Sequence, residues 1–240
     1  MEIHNQYSNI QFASKCNPIK PFKFTTKAGE LRVFEPSAEE VKTPEFAQKI
    51  VDFFFNNFTK DTNDPAWLRF QRKENESLFK KFKKNYAEEV HQLIMEDDGH
   101  TTFLVAKDID NNIRGAIMTH GVDEIPLMKK IVMYVANIAT DSKFRHSGLG
   151  KILMEKAMEA DKTHFTDVFL VGENCAKGFY DKLGFKSLDK NDLSQKKIMN
   201  YMKSMRFDYP DYVTLFTKPL QENRQRWYDV VAPILSSIKI

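Results

Sequence analysis

The sequence predicts an α/β fold of the α+β kind, a central sheet flanked by helices. Three observations lead there. With 42% hydrophobic and 29% charged residues, the composition is that of a soluble globular protein. A length of 240 residues suits one large domain and is short for two. Along the chain, short apolar or alternating runs of strand length recur among longer amphipathic runs of helical period. Their order is strand, two helices, three strands, helix, strand, helix, strand, strand.

Each element carries its own signal. Residues 1–29 are polar, contain Pro18 and Pro21, and read as a tail or an arm lying on the domain. Residues 30–35 alternate, with Leu31 and Val33 apolar, and form a short strand. After Pro36 and Ser37, residues 44–58 place Phe46, Ile50 and Phe54 at helical spacing behind Pro44. A polar loop covers 59–65. Leu78, Phe82, Tyr86, Val90, Leu93 and Ile94 mark the face of a second long helix, which ends at Glu96-Asp97-Asp98-Gly99. Residues 101–106 and 113–120 flank a turn at Asp110-Asn111-Asn112 and make an antiparallel hairpin. Residues 131–139 are a central strand and 148–162 a helix. A strand at 167–172, a helix at 174–183 and strands at 185–188 and 212–218 follow. The domain is thus expected over 30–218. Residues 187–210 form an insertion, too long for a simple connection between neighbouring strands. It reads as a solvated helical excursion or as a flap beside a site. In 219–240, a helical extension, Trp227, Val230, Val231, Ile234 and Ile238 share one face, as core packing or as a dimer contact.

One stretch joins the central strand to its helix: Ile138-Ala139-Thr140-Asp141-Ser142-Lys143-Phe144-Arg145-His146-Ser147-Gly148-Leu149-Gly150. An apolar strand running into Arg-x-x-Gly-x-Gly and then an amphipathic helix has the design of an anion cradle. Glycines 148 and 150 allow a tight turn and close approach of a ligand. N–H groups at the helix start, aided by the helix dipole, face a negative group. Arg145 adds a charge suited to phosphate oxygens. Leu149, Ile152, Leu153, Ala157 and Ala160 form the helical face behind the loop. A P-loop would need Ser or Thr after its Gly-Lys, and the chain has Ile152. A dinucleotide fingerprint would need Gly or Ala at position 153, which is Leu.

Downstream lies Asn174-Cys175-Ala176-Lys177-Gly178-Phe179-Tyr180-Asp181-Lys182-Leu183-Gly184-Phe185. The two segments together resemble the GNAT superfamily of acyl-CoA-dependent N-acyltransferases, which carry Arg/Gln-x-x-Gly-x-Gly/Ala after a strand and Asn-x-x-Ala-x-x-Phe-Tyr-x-Lys-x-Gly-Phe later. The likeness runs from about Thr102 to Phe185, a third of the chain. It implies a mixed, mostly antiparallel sheet splayed at the cofactor strand. It also implies acetyl-CoA as co-substrate, with no metal, and transfer of its acetyl group to an amine by direct attack in a ternary complex. On that resemblance the backbone of Ile138, Ala139 and Thr140 would pair with the pantetheine arm. Arg145, His146, Ser147, Gly148, Leu149, Gly150 and Lys151 would hold the pyrophosphate. Asn174 would make a polar contact to the arm, and Tyr180 would donate or share a proton with the departing thiolate. A Tyr in such a helix also serves as plain packing.

The base that frees the amine is less legible. Several family members place Glu or His eleven residues before the loop arginine, which here is Tyr134, and others use the position of Ala136. Phe53-Phe54-Phe55 followed by Asp64-Pro65 resembles the first helix and acidic turn of insect arylalkylamine N-acetyltransferases. That likeness implies a small arylalkylamine-like substrate, with Asp64 as base. Asp64 reads equally as a turn residue before proline. His120 and Glu124 are further candidates, and His91 and His146 are more simply surface groups. Acetylation of protein or peptide amines, and an inactive acyl-CoA-binding regulator, are the competing functions.

Composition bounds the partners. A net charge of +3, with no basic stripe interleaved with aromatics, gives no ground for nucleic acid. No apolar run approaches membrane-spanning length and no secretory leader is evident. Cys16 and Cys175 are the only cysteines, neither a disulfide framework nor a zinc site. A cytoplasmic monomer or homodimer acting on a small molecule is the expectation.

Overall fold

One eight-stranded sheet organises the computed structural model, which describes residues 19–58, 76–96, 101–122, 132–161, 165, 167–187 and 213–220. In chain order the elements are β1 (Phe22–Thr26), β2 (Gly29–Phe34), α1 (Ala38–Val41), α2 (Pro44–Phe58), α3 (Glu76–Glu96), β3 (Thr102–Lys107), β4 (Ile113–Val122) and β5 (Val132–Thr140). Then come α4 (Leu149–Asp161), β6 (Asp167–Glu173), α5 (Lys177–Lys182), β7 (Lys186–Ser187) and β8 (Val213–Pro219). The strands lie in the order β1-β2-β3-β4-β5-β6-β8-β7. Every pairing is antiparallel except β5 with β6, which α4 connects as a parallel crossover. The mixed, mostly antiparallel sheet with flanking helices is the expected fold.

Both faces of the sheet are covered. On one, Leu149, Leu153, Met154 and Ala157 of α4 are fully buried against Leu104, Ile117, Met133 and Leu170. On the other, Phe46, Ile50, Val51 and Phe54 of α2 pack with Val90 and Ile94 of α3 on Phe103, Val105 and Met118. Rings dominate the α2–α3 contact, as where Phe55 meets Tyr86 edge-on at 5.4 Å. Thr43 caps α2, its hydroxyl accepting from the Phe46 N–H, with Pro44 at the first helical position.

Two elements differ from the sequence reading. Residues 22–26, read within the tail or arm, form β1, because Phe22 and Phe24 alternate inward and pair in register with Val33 and Leu31. The expected face of α3 holds only in its second half: Val90 and Ile94 are buried, with Ala87 beside them, whereas Leu78 is 57% and Phe82 40% exposed. The buried half packs in one cluster with α2 and the sheet. The insertion beyond Ser187, the extension beyond Leu220, Asp64 and Glu124 lie outside the described residues.

Candidate active site

Two irregularities in β4 and β5 shape the site. In the β3–β4 ladder Ala106 pairs with Gly115 and Lys107 with Ile113, so Arg114 is an extra residue. Its guanidinium forks to Asp108 at 2.7 Å and Asp141 at 2.9 Å, and the Asp141 N–H donates to the Arg114 carbonyl. This tie fixes the point where β5 hands over to the glycine loop. In the β4–β5 ladder Met118 pairs with Asn137 and Thr119 with Val135, leaving Ala136 as a bulge. A bulge bends its strand and sharpens the local twist. Pairing of β5 with β6 stops at Val135 and Leu170, one residue short of it. From Ala136 to Thr140, β5 has no ladder partner on the β6 side.

The gap is a cleft of about 410 Å³, within the range of small-molecule sites. Ile138, Ala139 and Thr140 line one wall, Val171, Gly172 and Glu173 the other, with Arg145 and Tyr180 also facing it. The end of α2, at Asn57 and Phe58, closes a further side. Five residues expected at the site thus meet in one cleft: Ile138, Ala139, Thr140, Arg145 and Tyr180.

The loop that follows turns β5 into α4. Asp141 accepts from the Lys143 N–H and starts a single 3₁₀ turn, Ser142–Phe144. His146 and Gly148 adopt left-handed backbone, at φ 58° and 86°, and turn the chain into α4. Gly148 is the turning glycine. Gly150 lies inside the first turn of α4, where a Cβ would stand 3.4 Å from the Phe179 ring. Ser147 Oγ donates to the Phe144 carbonyl at 2.6 Å and accepts weakly from the Leu149 N–H. Helix geometry leaves the N–H groups of Gly150 and Lys151 without intrahelical acceptors. Arg145 Nη2 donates to the Asn57 carbonyl at 3.1 Å. A cation on the last carbonyls of α2 is favoured by its dipole, so Arg145 both clamps α2 to the loop and faces the cleft.

Tyr180 is almost completely buried, its ring seated against Phe216 at 4.9 Å, Phe179 at 5.2 Å and Phe185 at 5.9 Å. Burial, reinforced by the charge of Glu173, pushes its phenol well above the ordinary value, which is near 10. It keeps its proton. Gly172 makes room for the ring: a Cβ there would lie 2.5 Å from Tyr180 Cε2 and 3.1 Å from the Phe216 ring. Overpacking a filled core costs about 1–3 kcal/mol. Gly172→Ala is therefore expected to lower unfolding stability by that amount in urea denaturation. Wild-type stability in the variant would show that the ring has room to retreat.

Other expected residues lie elsewhere. Asn174 is exposed and absent from the cleft lining; its Oδ1 accepts from the Thr214 hydroxyl at 2.6 Å. The 3₁₀ turn Asn174–Ala176 carries it toward β8 and brings Glu173, Cys175 and Ala176 to the cleft instead. His120 pairs across β4–β5 with Tyr134, rings 5.1 Å apart, away from the cleft. Glu173 is the residue the sequence reading missed. Its signal was available: counted back from Ala176 and Phe179, the Asn of the second motif falls at position 173, so Glu173 stands there and Asn174 is one residue out of register. Cys175 donates to its Oε2 at 3.3 Å, and burial followed by that contact raises the thiol's pKa. Among the described residues no group of three His, Cys, Asp or Glu side chains could hold a metal, and no helix is long and apolar enough to cross a membrane.

Known proteins place this architecture. A family model, described as the acetyltransferase (GNAT) family, matches residues 63–185, just over half of the chain. No curated protein matches the sequence. Among solved structures, a GNAT-family acetyltransferase from Desulfovibrio desulfuricans superposes with a TM-score of 0.50 at 13% identity, covering 80% of this chain and 99% of its own. One from Streptococcus pneumoniae gives 0.48 at 16% identity, with coverage of 80% and 99%. A GNAT-family N-acetyltransferase from Escherichia coli in complex with CoA gives 0.48 at 14%, covering 86% of each chain.

Proposed function

The chain belongs to the acetyltransferase (GNAT) family, and from that premise we propose that it transfers an acetyl group from acetyl-CoA to the primary amine of a small molecule, of arylalkylamine type. The observation that carries the proposal is the stretch of β5 from Ala136 to Thr140, which leaves β6 at a bulge and lines a cleft that reaches Arg145 of the glycine loop.

The residues present fit the co-substrate. Strand backbone without a neighbour offers alternating N–H and C=O groups to an extended ligand, as a sheet edge does to an added strand. Ile138, Ala139 and Thr140 would hold the amide-bearing pantetheine arm in this way, and a backbone N–H there would polarise the thioester carbonyl. The turn His146-Ser147-Gly148 and the first N–H groups of α4, with Leu149, Gly150 and Lys151, would take the pyrophosphate. Arg145 would add charge-assisted bonds. Acetyl-CoA supplies the activated acetyl group. Tyr180, whose phenol is held protonated, would share its proton with the departing sulfur. Phe58 in the cleft wall, stacked on Phe54 at 5.8 Å, supports an aromatic acceptor. Asp64 enters as base on the arylalkylamine resemblance alone. A cytoplasmic protein follows from the cysteine usage, Cys175 being a free thiol.

Thiol release from acetyl-CoA against a panel of amines tests the reading. Release that depends on small arylalkylamines is the expected result. Release only with peptide or protein amines would move the substrate class. Tight acetyl-CoA binding with no amine-dependent release would make the chain a binding regulator.

A further inference from the structure

We propose that Glu173 is the catalytic carboxylate of the acceptor site, binding the ammonium group of the incoming amine and taking up its proton. The inference rests on the acetyltransfer reading above and names the group that reading lacks.

Among the described residues lining the cleft, Glu173 is the only carboxylate. Strand alternation sets its direction. Gly172 abuts the Tyr180 ring on the α4 side of the sheet, so Glu173 projects to the opposite side, the face covered by α2 and α3. Asn137 of β5 points to that same side, where its amide donates to Tyr86 of α3 at 2.8 Å. Asn57 closes the cleft there. Its Nδ2 is fixed by donation to the Phe53 carbonyl at 2.8 Å, and its Oδ1 is buried with no hydrogen-bond partner. Glu173 brings a carboxylate and Asn57 an unmet amide oxygen to one cleft, and both are acceptors for N–H donors. A primary ammonium carries three and no acceptor.

The neighbouring groups leave Glu173 as proton acceptor. Among the described residues, the titratable and charged groups sharing its cleft are Cys175, Tyr180 and Arg145, while α2 contributes the neutral Asn57 and Phe58. Cys175 and Tyr180 are both held in their protonated forms, and Arg145 is a permanent cation. The Cys175 thiol, donating to Oε2, positions the carboxylate. A cleft closed by ligand removes water from the ammonium and the carboxylate alike, which favours proton transfer between them. The ammonium gives one proton to Glu173, and its freed lone pair forms the N–C bond as the C–S bond breaks. The nitrogen's second proton passes to solvent. The sulfur leaves as thiolate, held by a hydrogen bond from the Tyr180 hydroxyl, and becomes the thiol with the proton that Glu173 gives back. One proton is released overall.

Glu173→Gln keeps the size and hydrogen-bonding shape of the side chain. Three measurements are made on it and on the wild type: acetyl-CoA affinity, affinity of the best panel amine for the protein–CoA complex, and kcat/KM for that amine from pH 6 to about 10. The variant is expected to bind acetyl-CoA normally and to bind the amine at least roughly tenfold more weakly. At neutral pH its kcat/KM should fall about 10²- to 10³-fold, within the range for general base catalysis. The deficit should shrink as pH approaches the amine's own pKa, where the acceptor arrives deprotonated. Equal amine binding and equal kcat/KM in the two proteins would overturn the assignment, as would a pH-dependent deficit in Asp64→Asn with none in Glu173→Gln. The binding readout needs no turnover. Glu173-dependent amine binding without acetyl transfer in the wild type would therefore sink the acetyltransfer reading and leave the ammonium site standing.

Discussion

Gly148→Asp is expected to abolish acetyl-CoA binding while the protein still folds. Gly148 sits at φ 86°, where an L-residue is held at a cost of about 1–3 kcal/mol. It also immediately precedes α4, the position where an aspartate caps a helix, worth about 1 kcal/mol. The cap recovers part of the strain, and an added Cβ would meet only the Phe24 ring, at 3.9 Å. The consequence for the ligand is severe for the same reason. The new carboxylate occupies the N–H groups that a phosphate would use, and it repels that phosphate. Two unit charges 4 Å apart near a protein surface repel by about 4 kcal/mol, close to a thousandfold in affinity. Gly148→Ala carries the backbone strain without the charge and should lose much less. Calorimetric titration of both variants, with unfolding curves to confirm the fold, measures the difference. Unchanged affinity in Gly148→Asp would remove the pyrophosphate from this loop.

Tyr180→Phe is expected to lower kcat by roughly 10- to 100-fold and to leave acetyl-CoA affinity nearly unchanged. The substitution preserves the ring contacts with Phe179, Phe185 and Phe216 and deletes only the hydroxyl. Its magnitude follows from the raised phenol pKa. A phenol held above 10 does not readily surrender its proton to a thiolate near 8.5. It stabilises the sulfur by a hydrogen bond to charge, worth about 1.5–3 kcal/mol, which converts to that rate range at 1.36 kcal/mol per tenfold. The sign with pH follows too. Because burial raises the phenol, Tyr180 stays protonated from neutral pH through about 10. The ratio of wild-type to variant kcat should then be flat across that span. Full turnover in the variant, with chemistry shown to limit the rate, would make Tyr180 a packing residue.

Local pattern settled most of the elements. The helical periods of Phe46, Ile50 and Phe54, and of Leu149, Leu153 and Ala157, placed α2 and α4. The turn at Asp110-Asn111-Asn112 placed the β3–β4 hairpin, and Arg145 to Gly150 marked the strand-to-helix turn that Gly148 makes. These are features a few adjacent residues dictate by their own sterics and hydrophobicity. Only the tertiary structure decided the rest, because it depends on residues distant in sequence. Nothing around Ala136 announces a bulge; that bulge exists because Met118 and Thr119 of β4 pair with Asn137 and Val135 across it. The splay of β5 from β6 was implied by resemblance and not by any local signal. Glu173 reads as an ordinary strand end until Gly172 fixes which way it points and α2 brings Asn57 beside it. Asn174, whose sequence position suggested the cofactor arm, turns to Thr214 because the 3₁₀ turn rotates it toward β8. Register and side-chain direction are collective properties of paired strands and packed helices, and no single stretch of this chain contains them.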